Sequence, residues 1–118
     1  GMGDRIAAAV RAHPGAPGWL ILPGDLPLVR PATVRAVAQA LVSHPVVVPR
    51  TGGERGHPVG FARVCGAALA ALTGDRGAAR VVQEHGAWVL DIDDSGCCLD
   101  VDTPERLEAA RRLWRERA

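Results

Sequence analysis

A chain of 118 residues, 47% apolar and 23% charged, has the size and balance of one small globular domain and excludes a disordered segment. A formal net charge of +1 leaves no electrostatic footprint for nucleic acid or an anionic membrane, and all 14 Lys-plus-Arg positions are arginine, which excludes lysine chemistry. No apolar run approaches the roughly 18 residues of a membrane span, and no charged and apolar leader opens the chain, so a cytoplasmic protein is expected.

Taken in order, Ile6, Ala9 and Val10 mark a helix by their spacing. HPGAPG breaks it. Trp19 to Leu22 is an unbroken apolar run, the pattern of a strand buried on both faces. A turn through Gly24 and Asp25 follows, and Pro31 suits the first position of the next helix, whose stripe is Val34, Val37, Ala38 and Leu41. Val46 to Val48 predicts a second buried strand. The glycine-rich RTGGERGHPVGF reads as a loop entering a short strand near Val59 to Ala62. Cys65, Ala68, Leu69 and Leu72 form another helical stripe; TGDRG interrupts it; Ala78, Val81 and Val82 resume. Ala87 to Ile92 is a strand, DDSG a turn, and Cys98 to Val101 a brief extended piece. Thr103 and Pro104 are cap and first residue of a last helix with Leu107, Ala110 and Trp114 on its buried face.

Alternating strands and helices predict an α/β domain with a largely parallel sheet. Three firm and two short strands are few for such a sheet, so the chain reads as part of a domain. An odd cysteine count, with Cys97 and Cys98 adjacent, argues against a disulfide framework, and no C-x-x-C spacing offers a zinc site. The three cysteines read as free thiols, Cys65 on a helical core face, with no pKa-lowering cue beside the Cys97–Cys98 pair.

Four stretches carry chemistry. Asp25 ends the first strand, where ligands of open α/β sheets bind; it is either a turn residue or a metal ligand. Asp100 and Asp102, two apart in an extended segment, point to one side; they are either helix N-terminal acids or hard oxygen donors for Mg²⁺. In ERGHPVGF, Gly56 and Gly60 permit close backbone approach to a ligand, and His57 can donate a hydrogen bond or move a proton; a β-turn with a surface histidine accounts for the same residues. TGDRGAARVV offers glycines, a helix start and the guanidinium groups of Arg76 and Arg80 to an anion, or is a helix break and restart. No G-x-G-x-x-G or P-loop phosphate cradle is present.

The ordered set LILPGDLPLVRPATV, RGHPVGF, TGDRGAARVV and LDVDTPERLEAA resembles the MobA-like nucleotidyltransferase family, most closely its molybdenum cofactor cytidylyltransferase branch. The opening GMGDRIAAAV is similar to the family's segment before the metal strand. The resemblance implies a Rossmann-like αβα sandwich of the nucleotide-diphospho-sugar transferase type. It implies transfer of CMP or GMP from CTP or GTP to the phosphate of molybdopterin, with Mg²⁺ and release of pyrophosphate. Carried over position by position, Asp25 and Asp102 are the catalytic metal ligands, with Asp100 beside them. Arg55, Gly56, His57, Pro58 and Gly60 belong to the acceptor loop, and Asp75, Gly77 and Ala78 to the segment near the pterin. No organic cofactor is implied.

Two departures qualify the resemblance. The family's glycine-rich, lysine-bearing loop around the nucleotide phosphates has no counterpart here, and Arg5 stands where relatives carry a small serine. Residues 1–118 are therefore expected to be a single partial domain, the C-terminal two-thirds, truncated at the N-terminus and inactive alone. A missing first strand would leave an open sheet edge that self-association covers. A molybdoenzyme or a chaperone is the protein partner the resemblance implies. The rival readings are a non-catalytic module that binds a pterin or a partner protein, and a transferase acting on a sugar phosphate or phospholactate.

Overall fold

The computed structural model describes residues 1–22, 28–98 and 104–117. Five strands form one sheet: β1 (Gly18–Ile21), β2 (Val46–Thr51), β3 (Glu54–Arg55), β4 (Val59–Ala62) and β5 (Trp88–Asp91). β4 lies antiparallel between β1 and β2, and β5 pairs in parallel with the other edge of β2. β1, β2 and β5 therefore run the same way while β3 and β4 run against them, so the sheet is mixed rather than largely parallel.

The glycine-rich stretch after β2 is more ordered than its composition predicts. Gly52 and Gly53 both take positive φ, 59° and 81°, and turn β2 directly into β3, with Arg50 opposite Arg55. Two successive positive-φ residues are what a tight hairpin turn demands, and glycine takes them without steric cost. From the Arg50–Arg55 pair to the Val47–Gly60 pair, three steps along β2 match five along the returning chain. The two extra residues are accommodated around Gly56, His57 and Pro58, so this loop is a bulge in a strand.

Helices cover both faces, as the αβα expectation requires. The α1 (Met2–Ala12), α3 (Gly66–Ala70) and α4 (Ala79–His85) helices lie on one side, where Ile6, Val10, Val46, Val48, Phe61, Cys65, Leu69 and Val81 make the main core. The alternate residues of the same strands face α2 (Pro31–Ala40), where Val37 is buried and any Cβ on Gly60 would press on Val37 Cγ1 at 2.8 Å and Leu41 Cδ1 at 3.0 Å. Burying a side chain such as Phe61 or Leu69 contributes about 1.5–3 kcal/mol. Cys65 is buried as its stripe predicts, with its thiol 3.5 Å from the Pro45 carbonyl.

Two burial expectations are corrected. The Trp19–Leu22 run is not enclosed: Leu20 is 36% and Leu22 44% exposed, because β4 is the one strand that pairs with β1 among the described residues. In α5 (Pro104–Arg117), Ala110 is buried, but Leu107 is 39% and Trp114 66% exposed. Near the end of this helix Arg117 donates to the Leu28 carbonyl at 2.7 Å. Cys98, where an extended piece is expected to begin, instead caps the 3-10 turn Ser95–Cys97 with φ −110° and ψ −6°, and residues 99–101 lie outside the described residues. Among the described residues no helix is long and apolar enough to cross a membrane.

Candidate active site

Strand direction decides where a site can sit. The carboxyl ends of β1, β2 and β5 share one edge of the sheet, and the β3–β4 segment turns back from it. Ligands of open α/β sheets bind beyond this edge. β1 leads there into residues 23–27, and the 3-10 turn leads into residues 99–103. Asp25, Asp100 and Asp102 themselves lie outside the described residues. Elsewhere, among the described residues, no group of three His, Cys, Asp or Glu side chains gathers to hold a metal.

The flanks of both segments are tied together by Asp94. Its carboxylate is 2% exposed and accepts from the Thr33 hydroxyl at 2.6 Å, the Arg30 N–H at 2.8 Å, the Gly96 N–H at 3.1 Å and the Arg117 guanidinium at 2.9 Å. One buried acid thus joins the start of α2, the turn before Asp100 and the end of α5. Burial pushes this carboxyl up, but Thr33, Arg30 and Arg117 outweigh it and hold it below the ordinary value. A buried carboxylate is tolerable only when its lone pairs are filled in this way. Sequence reading assigned DDSG to a turn and missed this role. The bond to Gly96, two residues on, was the local signal; the partners in α2 lie more than sixty residues away.

The acceptor loop packs on the same turn. The Gly56 N–H donates to the Pro49 carbonyl at 2.8 Å and the His57 N–H to the Cys97 carbonyl at 2.8 Å. The His57–Pro58 peptide is cis and Pro58 is buried. A Cβ at Gly56 would collide with the Cys97 carbonyl and lie 2.7 Å from its Sγ, so the close approach this glycine permits is to Cys97. Gly60 faces α2, and Arg55 is exposed on β3. Cys98 donates its S–H to the Glu54 carbonyl at 3.3 Å. Burial and the neighbouring Cys97 push its thiol up to about 12.

The Asp75–Ala78 segment forms a separate cluster against α1. Gly74 donates its N–H to the Asp4 carboxylate at 2.9 Å, which lowers the Asp4 pKa. Gly3 has no side chain to obstruct the Thr73 and Arg76 carbonyls. Asp75 is fully exposed, while Gly77 and Ala78 are half-buried, Ala78 against the core. Beside them a cleft of ≈ 300 Å³ is lined by Thr73, Arg76, Gly77, Arg80, Val81 and Glu84, with Arg80 paired to Glu84 at 3.2 Å.

Residues 1–88 match the model of the MobA-like NTP transferase domain. The chain is 33% identical over 117 residues to the purine catabolism protein PucB of Bacillus subtilis (strain 168), covering 95% of this chain and 57% of that protein. Among solved structures, Rv0371c from Mycobacterium tuberculosis H37Rv superposes with a TM-score of 0.71 at 34% identity, over 92% of this chain and 59% of that one. Its homologue from Mycobacterium sp. strain JC1 gives a TM-score of 0.82 at 25% identity, over 100% and 61%. A complex of Rv0371c with manganese gives 0.71 at 36%, over 90% and 56%. The chain spans less than two thirds of the length of each.

Proposed function

Because the chain belongs to the MobA-like NTP transferase family, we propose that it carries the acceptor and metal side of a nucleotidyltransferase that moves CMP or GMP from its triphosphate to the phosphate of molybdopterin. The observation that supports this reading is that the described flanks of the motifs are joined by hydrogen bonds. The RGHPVG bulge hydrogen-bonds to the turn that leads into LDVDTPE, and Asp94 joins that turn to the far flank of the Asp25 segment. The flanks of sequence-distant motifs that are unremarkable singly thus share one framework.

Asp25 and Asp102, with Asp100 beside them, are the residues that would hold Mg²⁺ or a similar divalent cation. Carboxylate oxygens are hard donors of the type such ions take, and a relative has been solved with manganese. The cation supplies charge neutralisation at the phosphoryl oxygens. Arg55 and His57 would face the acceptor, on a bulge shaped by Gly56 and Pro58; Gly60 packs on α2 instead. Asp75, Gly77 and Ala78 shape a wall where Arg76 and Arg80 meet an anionic group at the cleft. No residue of this chain replaces the family's glycine-rich phosphate loop or its lysine. The 118 residues alone are therefore expected to be inactive.

The test uses the full-length protein, with labelled CTP and GTP and with molybdopterin as acceptor. Pyrophosphate released in step with the labelled dinucleotide product, and lost in Asp25→Ala, is the expected result. Release with a sugar phosphate or phospholactate but not with molybdopterin would overturn the acceptor. No release with any triphosphate would overturn the reaction class.

A further inference from the structure

At the carboxyl end of β2 one row of side chains across the sheet is charged. Arg50 stands opposite Arg55 in the β2–β3 hairpin and opposite Asp91 on the other edge of β2. Residues directly opposite in neighbouring strands share a face, and Arg50 lies two residues past Val48, so the row stands on the face that carries Val46 and Val48. The bond from the Gly56 N–H to the Pro49 carbonyl makes Pro49 and Gly56 a hydrogen-bonded pair. Arg50 and Arg55 are therefore the adjoining non-hydrogen-bonded pair, the kind whose side chains come closest. The Asp91 carboxylate accepts from Arg50 Nε at 2.6 Å and Nη2 at 2.9 Å, and Nη1 has no partner among the described residues. Arg55 is exposed, and among the described residues no carboxylate forms an ion pair with it; its neighbour Glu54 points to the opposite face. Like charges directly opposite destabilise a sheet, and two guanidinium groups against one carboxylate leave positive charge uncompensated.

We propose that Arg50 and Arg55 form a two-guanidinium clamp for a phosphate monoester, the phosphate of the acceptor. A guanidinium fork matches phosphate oxygens bidentately, and a dianion held between two opposed guanidinium groups removes the repulsion the hairpin otherwise carries. Asp91 occupies one side of the Arg50 guanidinium; Nη1 and the whole of the Arg55 guanidinium remain for the ligand. β3 runs from Arg55 directly into Gly56 and His57, so the clamp and the acceptor loop are continuous in the chain. Arg50, which lies five residues before that loop in the sequence, joins it only through the hairpin register. The identity of the anion rests on the transferase reading; the clamp itself does not.

Titration of the full-length protein with inorganic phosphate at constant ionic strength, followed through the arginine Nε–H resonances, tests it. The Arg50 and Arg55 resonances should move together with one dissociation constant, and Arg55→Gln should weaken that constant at Arg50 about tenfold. In the transfer assay Arg50→Gln and Arg55→Gln should each raise KM for the molybdopterin acceptor about tenfold, with kcat and the KM for the triphosphate within about threefold, the pattern of lost uniform binding. Unmoved resonances, separate constants, or movement at Arg76 and Arg80 in their place would overturn the clamp. A rise in KM for the triphosphate in place of the acceptor would overturn the assignment to the acceptor's phosphate. Absence of transfer with every triphosphate would overturn the transferase reading, and the titration would still decide the clamp.

Discussion

Asp94→Ala is expected to destabilise the chain by about 3–5 kcal/mol and to loosen α5, the cost of leaving a buried charge without its partner. The carboxylate holds four hydrogen bonds, from Thr33, Arg30, Gly96 and Arg117. At about 1.5–3 kcal/mol for each bond to a charged group, their plain sum overshoots, since alanine also removes the carboxylate's desolvation penalty. What persists in the variant is the Arg117 guanidinium, 21% exposed and still donating to the Leu28 carbonyl without its counter-charge. Asp94→Asn keeps an acceptor for Thr33 and Arg30 and should cost about 1–3 kcal/mol. Urea unfolding followed by tryptophan fluorescence reads both values, and limited proteolysis ahead of Pro104 reads the loosening of α5. The pH dependence provides a second check. The folded carboxyl lies below its ordinary value of 3.8, so the unfolded chain takes the proton first. The contribution is whole above the unfolded value and disappears as pH falls through the folded one. Stability of the unmutated chain should thus fall more steeply than that of Asp94→Asn below about pH 4. An alanine variant within about 1 kcal/mol of the parent, or equal acid slopes, refutes the account.

In the full-length protein Asp25→Ala and Asp102→Asn should each lower the transfer rate by about a hundredfold or more with an unchanged unfolding midpoint; activity within a few-fold of the parent would remove these carboxylates from the metal site. Gly56→Ala should cost about 1–3 kcal/mol, because the methyl must displace the Cys97 carbonyl, and should raise KM for the acceptor more than for the triphosphate. β4 is the one strand that pairs with β1 among the described residues, and Leu20 is exposed; the 118-residue chain should therefore self-associate, and Leu20→Lys should shift its sedimentation toward the monomer; a parent already monomeric at high concentration contradicts this.

The fold was legible where one short stretch decides its own structure. Val46 to Val48 reads as an interior strand and is one, and the stripes through Val37 and Leu69 mark helices that bury those two residues and Cys65, while Ala38 is exposed. Reading failed where burial depends on a neighbour. Trp19 to Leu22 has the composition of a central strand, but composition does not say whether a second strand lies beside it. Leu107 and Trp114 have helical spacing, yet α5 meets little that covers them. Gly52 and Gly53 were read as loop because glycine is permissive in every context; opposite strand residues, here Arg50 and Arg55, reveal the hairpin.

The same limit governs the site. The stretch from Asp91 to Asp102 holds five aspartates, and residue type cannot rank them. Asp91 forms a paired fork with Arg50 at 2.6 and 2.9 Å on an open surface. Asp93 is exposed, and Asp94, next to it, is enclosed and four-fold bonded. What separates these neighbours is a hydroxyl and an N–H supplied by α2 and an arginine supplied by α5. Asp100 and Asp102 were singled out by family resemblance and by their two-residue spacing, which is local. Asp94 was missed because three of its four partners, Thr33, Arg30 and Arg117, are non-local. An acid that organises a site and an acid that acts in it carry the same letter; only the partners, brought together by the fold, distinguish them.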